Sequence, residues 1–152
     1  MPYNISTLLT RNLHDVFGEN DPVRRRAAID EIFTEDCVFY EPRGVHRGCD
    51  EIHRVAGAIK ATHPDFRYQP IAAPEELGDG GRVQWVSGRP GEAPAYAGTD
   101  FIIPGTAGLP SCISSSTSYP DMDTVVMKQK DNERFVGRLF RATGHHCKRS
   151  NE

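Results

Sequence analysis

The stretch that decides the fold is Cys37–Glu41, CVFYE, followed by Pro42 and the turn-rich segment RGVHRG over residues 43–48. CVFYE is a short run of apolar, β-branched and aromatic residues, which predicts a β-strand. Pro42 ends that strand because proline has no N–H to donate to a sheet. Residues 43–48 predict a turn or short hairpin. Asp50 then opens a helix whose apolar residues recur at helical spacing: Ile52, Val55, Ala56 and Ile59.

Two helices are predicted before this strand. The first spans residues 5–17, where an apolar stripe follows the 3.6-residue period, and Gly18 ends it. The second begins at Asp21-Pro22, because an aspartate caps a helix and proline suits its first turn. Its inward-facing residues are Val23, Ala27, Ala28, Ile32 and Phe33.

The pattern changes to strands after the third helix. Alternation predicts strands over residues 66–71, 82–88 and 95–103, and the segment GDGG at 78–81 is a strong turn signal. The order helix, helix, strand, helix and antiparallel meander predicts an α+β fold, in which a curved sheet covers a helical layer.

The composition changes at Pro104, where the segment PGTAGLPSCISSSTSYPD begins. Glycine, proline, serine and threonine bury too little apolar surface to offset the entropy of ordering the chain. We therefore expect a domain over residues 1–103, with residues 104–121 poorly ordered and 141–152 outside its core. Residues 122–140 alone in this extension of 104–152 carry enough apolar side chains to dock and complete the sheet.

The 152 residues include 18 Lys and Arg against 21 Asp and Glu, and 38% are hydrophobic. A net charge of −3 argues against a nucleic-acid partner. No apolar run is long enough to span a membrane, and the N-terminus lacks the basic region of a signal peptide. The four cysteines have neither disulfide-framework nor zinc spacing. We expect a reduced, cytoplasmic protein without a metal site.

The run Phe33–Gly44 and the segment His46–Ile52 together resemble the SnoaL-like branch of the nuclear transport factor 2 superfamily. Later pieces fit in order and spacing: Pro64-Asp65-Phe66, Trp85-Val86-Ser87-Gly88 and Gly98-Thr99-Asp100-Phe101. The resemblance covers residues 5–103. It implies a cone-shaped α+β barrel with an open pocket, as in ketosteroid isomerases, polyketide cyclases and scytalone dehydratases, whose common chemistry is proton transfer without a metal.

The C-terminal third departs from that resemblance, because such relatives return from the Asp-Phe strand through a short hairpin into a closing strand. Two interpretations remain open. Either the last third does not derive from the family, or an insertion separates the hairpin and a segment within 122–140 supplies the closing strand. A missing strand leaves an open sheet edge and removes one wall of the pocket.

Two carboxylates are the candidate catalytic residues. Glu41 resembles the position of the isomerase base, and burial in an apolar cone brings a carboxylate closer to useful base strength. Asp100 lies in mid-strand, where aspartate is disfavoured, and resembles the isomerase acid that donates to an oxyanion. The alternative for each is an ordinary solvated or ion-paired carboxylate.

Four further residues are predicted to line the pocket: Asn12, Tyr40, Trp85 and Tyr96. Asn12 stands where isomerases carry a tyrosine, so steroid isomerisation is doubtful. The sequence thus predicts a SnoaL-like protein that binds an apolar small molecule and, if catalytic, acts as a cofactor-independent isomerase, cyclase or dehydratase on a carbonyl or hydroxyl compound. The alternative is a non-catalytic dimerising or partner-binding module of the same fold. A homodimer is expected under either interpretation.

Overall fold

Three helical regions precede or interrupt the sheet, and each begins where the sequence provides a start signal. The structure, a computed structural model, describes residues 4–105 and the backbone of 110–118. Asn4 caps the first helix by accepting from the Thr7 N–H, and Asp21 caps the second by accepting from two backbone N–H groups. The helices are α1 (Ile5–Arg11), which continues as a π-helical segment (Asn12–Phe17), α2 (Pro22–Ile32) and α3 (Cys49–Thr62).

The third helix begins one residue earlier than the sequence suggested. Gly48 occupies its N-cap position with a φ of 82°, a conformation that favours glycine. Asp50 therefore lies in the first turn, where its negative charge is favoured by the helix dipole.

The strands form one mostly antiparallel sheet. They are β1 (Val38–Glu41), β2 (Gly44–Arg47), β3 (Arg67–Pro70), β4 (Glu75–Leu77), β5 (Gly80–Gly88), β6 (Tyr96–Pro104) and β7 (Pro110–Ser118). Their order is β2-β1-β7-β6-β5-β3, with β4 also paired to β5. The turn at residues 43–48 is thus a hairpin, in which Glu41 pairs with Gly44. The predicted α+β class is confirmed, and among the described residues the sheet stays open, with β2 and β3 at its edges.

The serine-rich segment gives the clearest correction to the sequence-based prediction. Residues 110–118 form β7, between β6, which it meets antiparallel, and β1, which it meets parallel. The expectation of poor order over 104–121 is therefore wrong for this strand. The prediction from composition failed because an interior strand forms backbone hydrogen bonds with a neighbouring strand on each side, whatever its side chains contribute. The predictions for residues 122–140 and 141–152 lie outside the described residues.

The hydrophobic core lies between the helices and one face of the sheet. Strand alternation selects that face, since Val83, Trp85 and Ser87 on β5 are buried while the intervening residues are partly exposed. The largest fully buried side chains come from α1, α2, α3 and the inner sheet face: Phe39, Leu8, Leu9, Leu13, Ile29, Ile32, Ile52, Ile102, Val16, Val83 and Asn12. All the described residues belong to one compact unit, Met1–Tyr119. No helix among them is long and apolar enough to cross a membrane.

Candidate functional site

A buried carboxylate stands at the centre of the inner sheet face. Asp100, in the middle of β6, is only 2% exposed. The Asn12 Nδ2 amide donates to Asp100 Oδ2 over 3.0 Å, and the Trp85 indole Nε1 donates to Oδ1 over 2.8 Å. Each oxygen of this carboxyl group therefore accepts a hydrogen bond from an N–H group. The expected role of Asp100 as a proton donor stays a prediction.

The π-helical segment carries two buried residues that belong to this site. Asn12 begins the segment and Phe17 ends it, and both side chains are buried against the sheet. Wider π-helical turns are rare and often occur at functional sites. Asn12 Oδ1 has no hydrogen-bond partner among the described residues, although it is buried.

The two predicted catalytic carboxylates line the same cavity, which we call the acid cavity. Its volume is about 40 Å³, room for a few water molecules. Its walls come from the π-helical segment, α3 and four strands: Phe17, Phe39, Glu41, Ile59, Tyr68, Trp85 and Asp100. The structure thus brings Glu41 and Asp100 together, and their catalytic roles stay predictions.

Glu41 has a direct partner in the neighbouring strand. Its Oε1 lies 3.1 Å from Nε2 of His46, and the side chains of both residues are mostly buried. The other ring nitrogen of His46, Nδ1, lies 3.8 Å from Oε2 of Glu51, which is 44% exposed. His46 therefore stands between a carboxyl group in the cavity wall and one that reaches solvent.

Tyr68 is a cavity residue that the sequence analysis missed. It lies on β3, its ring packs edge-on against Trp85 with centroids 4.9 Å apart, and it lines the acid cavity. Burial, together with the nearby charge of Asp100, raises the pKa of Tyr68 above its usual value. The phenol is therefore a neutral O–H donor near neutral pH.

A second cavity of about 40 Å³ adjoins the first and shares three wall residues with it, Phe17, Ile59 and Tyr68. We call it the lysine cavity, because Lys60 of α3 lies in its wall. Its remaining walls are His63, Phe66, Ser87 and Tyr96. Tyr96, predicted to line the pocket, lies here, packed against the rings of His63 and Phe66.

Two predicted pocket residues line neither cavity. One is Asn12, which contacts the acid cavity only through its hydrogen bond to Asp100, and the other is Tyr40. It stands between Phe39 and Glu41 on β1, and both of these neighbours line the acid cavity. Because successive strand residues point to opposite faces, Tyr40 points away from the cavities. Its assignment to the pocket is wrong for that reason.

Metal binding has no support within residues 4–105, where no cluster of three His, Cys, Asp or Glu side chains can hold an ion.

The comparisons with known proteins identify the fold. No family model and no curated protein matches the sequence. Among solved structures, a candidate isomerase of the SnoaL-like family from Agrobacterium tumefaciens aligns with a TM-score of 0.69 at 21% identity, over 75% of this chain and 97% of that one. A candidate polyketide cyclase from Sinorhizobium meliloti aligns at 0.55 and 20% identity, over 72% and 93%. An NTF2-like protein of unknown function from Cytophaga hutchinsonii aligns at 0.55 and 16% identity, over 78% and 95%. At these identities the likeness confirms the predicted fold, and it carries no activity across.

Proposed function

We propose that the chain is an acid/base enzyme that moves a proton on a carbon next to the carbonyl group of a small, largely apolar molecule. The observation that carries this proposal is the meeting of Glu41 and Asp100 in the wall of one cavity. Titratable groups gathered in a buried cavity are typical of catalytic sites. Isomerases, cyclases and dehydratases of this type all begin with such a proton transfer.

Each polar residue has a distinct role in the proposed reaction. Glu41 removes the proton from the carbon and returns it to the product. The Tyr68 hydroxyl donates a hydrogen bond to the carbonyl oxygen as it gains negative charge. Burial, together with the nearby charge of Asp100, raises the pKa of Tyr68 and keeps this phenol protonated. The role of proton donor thus passes from Asp100 to Tyr68.

His46 supports the base in this scheme. Its two ring nitrogens each face a carboxyl group, Nε2 that of Glu41 and Nδ1 that of Glu51. The chain of contacts from Glu41 through His46 to the exposed Glu51 gives Glu41 a route to reset its protonation between turnovers.

The size of the cavities sets the size of the substrate. At about 40 Å³ each, they are far below the roughly 300–1,000 Å³ typical of drug-sized pockets. We therefore propose a substrate of a few heavy atoms rather than a steroid or terpenoid.

A test that does not require the natural substrate is exchange of the proton itself. The protein is incubated in D₂O with five- and six-membered cyclic ketones and enones, and loss of the proton signal next to the carbonyl is followed by NMR. We expect exchange faster than in buffer for at least one compound. The control variant Glu92→Gln, which changes an exposed carboxylate, should retain that rate. Exchange at the buffer rate for every compound that binds contradicts the proposal.

A non-catalytic dimerising or partner-binding module is the second candidate, and the small volume of both cavities is the observation that favours it. A homodimer is compatible with either function. Sedimentation equilibrium gives the oligomeric state, and it separates the candidates when read beside the exchange assay. A dimer without proton exchange favours the module.

A further inference from the structure

The lysine cavity contains a buried positive charge that the proposed chemistry does not use. Lys60 is only 5% exposed, although lysine is almost never buried without a charged partner. Its Nζ donates to the backbone carbonyl of Phe66, which is neutral. Within the described part of the chain, no carboxylate lies within ion-pair distance of this ammonium group.

The surroundings of Lys60 do not compensate for its charge. Burial lowers the pKa of Lys60; Asp65 and Glu19 oppose that shift from a distance, while Arg67 adds to it. A buried charge without a counter-ion is costly, and an anion that enters beside it recovers part of that cost. The site is therefore electrostatically prepared for a negatively charged ligand.

Structural anchoring of the turn after α3 is the alternative role for Lys60, since Phe66 lies in that turn. A glutamine side chain also donates to a carbonyl, and it does so without burying a charge. The charge itself is what this alternative leaves unexplained. Ser87, a buried residue in the wall of the same cavity, adds a second polar residue to this site.

We propose that the lysine cavity is a carboxylate subsite, and that the ligand is a small keto acid. Its carboxylate pairs with Lys60, and its carbonyl end extends past Phe17, Ile59 and Tyr68, the walls shared with the acid cavity. The placement of the carbonyl end rests on the function proposed above. The carboxylate subsite does not, because it depends on the buried charge alone.

A matched pair of ligands tests the subsite by binding alone. The probes are 2-oxobutyrate and 2-oxobutanamide, which are nearly identical in shape and differ in charge. Affinities are measured at pH 7.5 by NMR titration of the ¹⁵N-labelled chain. A charge-assisted hydrogen bond adds about 1.5–3 kcal/mol, so we expect the acid to bind roughly 10- to 100-fold more tightly than the amide.

Two variants separate the charge from the general fold. Lys60→Gln keeps a donor for the Phe66 carbonyl, and it should bind the acid and the amide with similar affinities. Arg54→Gln removes an exposed charge from the same helix, where Arg54 pairs with Glu51, and should keep the preference for the acid. If Lys60→Gln fails to fold, the NMR chemical shift of Lys60 Nζ in the unaltered chain provides the test. It should change when 2-oxobutyrate is added and should not change when 2-oxobutanamide is added.

Equal affinities in the unaltered chain, binding of neither probe, or a preference that survives Lys60→Gln overturns the subsite. The outcome is independent of the exchange assay. Preferential binding of the acid without proton exchange supports the subsite and contradicts the proposed enzyme. Exchange on neutral ketones with no preference for the acid supports the enzyme and contradicts the subsite.

Discussion

The acid cavity and the lysine cavity share three wall residues but treat their buried charges in opposite ways. In the acid cavity, Asp100 accepts one hydrogen bond on each oxygen, from Asn12 and Trp85. In the lysine cavity, the only hydrogen bond that the described residues give Lys60 is to a neutral carbonyl. Both oxygens of Asp100 have a hydrogen-bond donor from the protein, whereas the Lys60 ammonium uses one of its three N–H donors within the described residues, which leaves capacity for a ligand. The following predictions test that contrast.

The largest effect is expected at the proposed base. Glu41→Gln preserves the shape of the side chain and removes its ability to take a proton. Proton exchange on the best ketone should fall by about 10²–10⁴-fold, with thermal unfolding little changed. If Glu41→Gln and the exposed control Glu92→Gln both keep the exchange rate of the unaltered chain, the base is another residue.

The proposed oxyanion donor should give the next largest effect. Tyr68→Phe keeps the ring that packs against Trp85 and removes the hydroxyl. We expect the exchange rate to fall by about 100-fold, as when one donor to a developing negative charge is lost. A matched control is Tyr40→Phe, which removes a hydroxyl from the opposite sheet face and should leave the rate unchanged. Equal rates in both variants would assign Tyr68 to packing alone.

The network around Asp100 should be important for stability. Trp85→Phe removes the indole donor and leaves one oxygen of a buried carboxylate without that partner. We expect a loss of about 2–3 kcal/mol in the free energy of unfolding, measured with urea. In the double variant with Asp100→Ala, the loss should be smaller than the sum of the two single losses, because the same contact is counted twice. Strict additivity is the contrary result.

The sequence predicts residues of the acid cavity, but it does not predict the role of Lys60 in the lysine cavity. Asp100 attracts notice because aspartate is rare in mid-strand, and Glu41 because it ends a strand before a proline. Asn12 was found through the family resemblance. Tyr40 was assigned to the pocket because it is aromatic, whereas strand alternation places it on the face opposite Phe39 and Glu41.

The lysine side was missed for a different reason. Lys60 comes four residues after Ala56, so helical periodicity already places it on the buried face of α3. That signal was available, but a lysine on an apolar stripe usually extends its charged end to solvent. Only the three-dimensional structure shows that the ammonium stays inside. The strand formed by residues 110–118 was also beyond sequence reasoning, since its pairing with β1 and β6 joins distant parts of the chain.

The smallest effect, and the one with the opposite sign, is expected at Lys60. At any pH below the lowered folded pKa of Lys60, both the folded and the unfolded chain carry this proton, and the cost of burying the charge is fully present. Lys60→Met removes that cost together with the bond to Phe66, so we expect it to be as stable as the unaltered chain or up to about 1 kcal/mol more stable. Loss of the Trp85 hydrogen bond to Asp100 should destabilise the fold, whereas loss of this lysine should not.

The pH dependence of this difference follows from the lowered pKa of Lys60. As the pH rises through the folded pKa toward the usual lysine value near 10.4, the folded chain releases the proton before the unfolded chain does. The unfolded state then binds more protons, so the unaltered chain gains stability relative to Lys60→Met, by at most about 1.4 kcal/mol per pH unit.

Urea unfolding of the unaltered chain and of Lys60→Met at pH 7, 8.5 and 10 measures this gain in stability. The charged groups that act on Lys60, namely Asp65, Glu19 and Arg67, are common to both chains, so their contributions largely cancel in the difference. Arg54→Met, which removes an exposed cation whose pKa is raised by Glu51, should keep a constant difference from the unaltered chain over the same range. A constant difference for Lys60→Met as well would mean that the lysine is solvated or already paired, and the contrast between the two cavities would disappear.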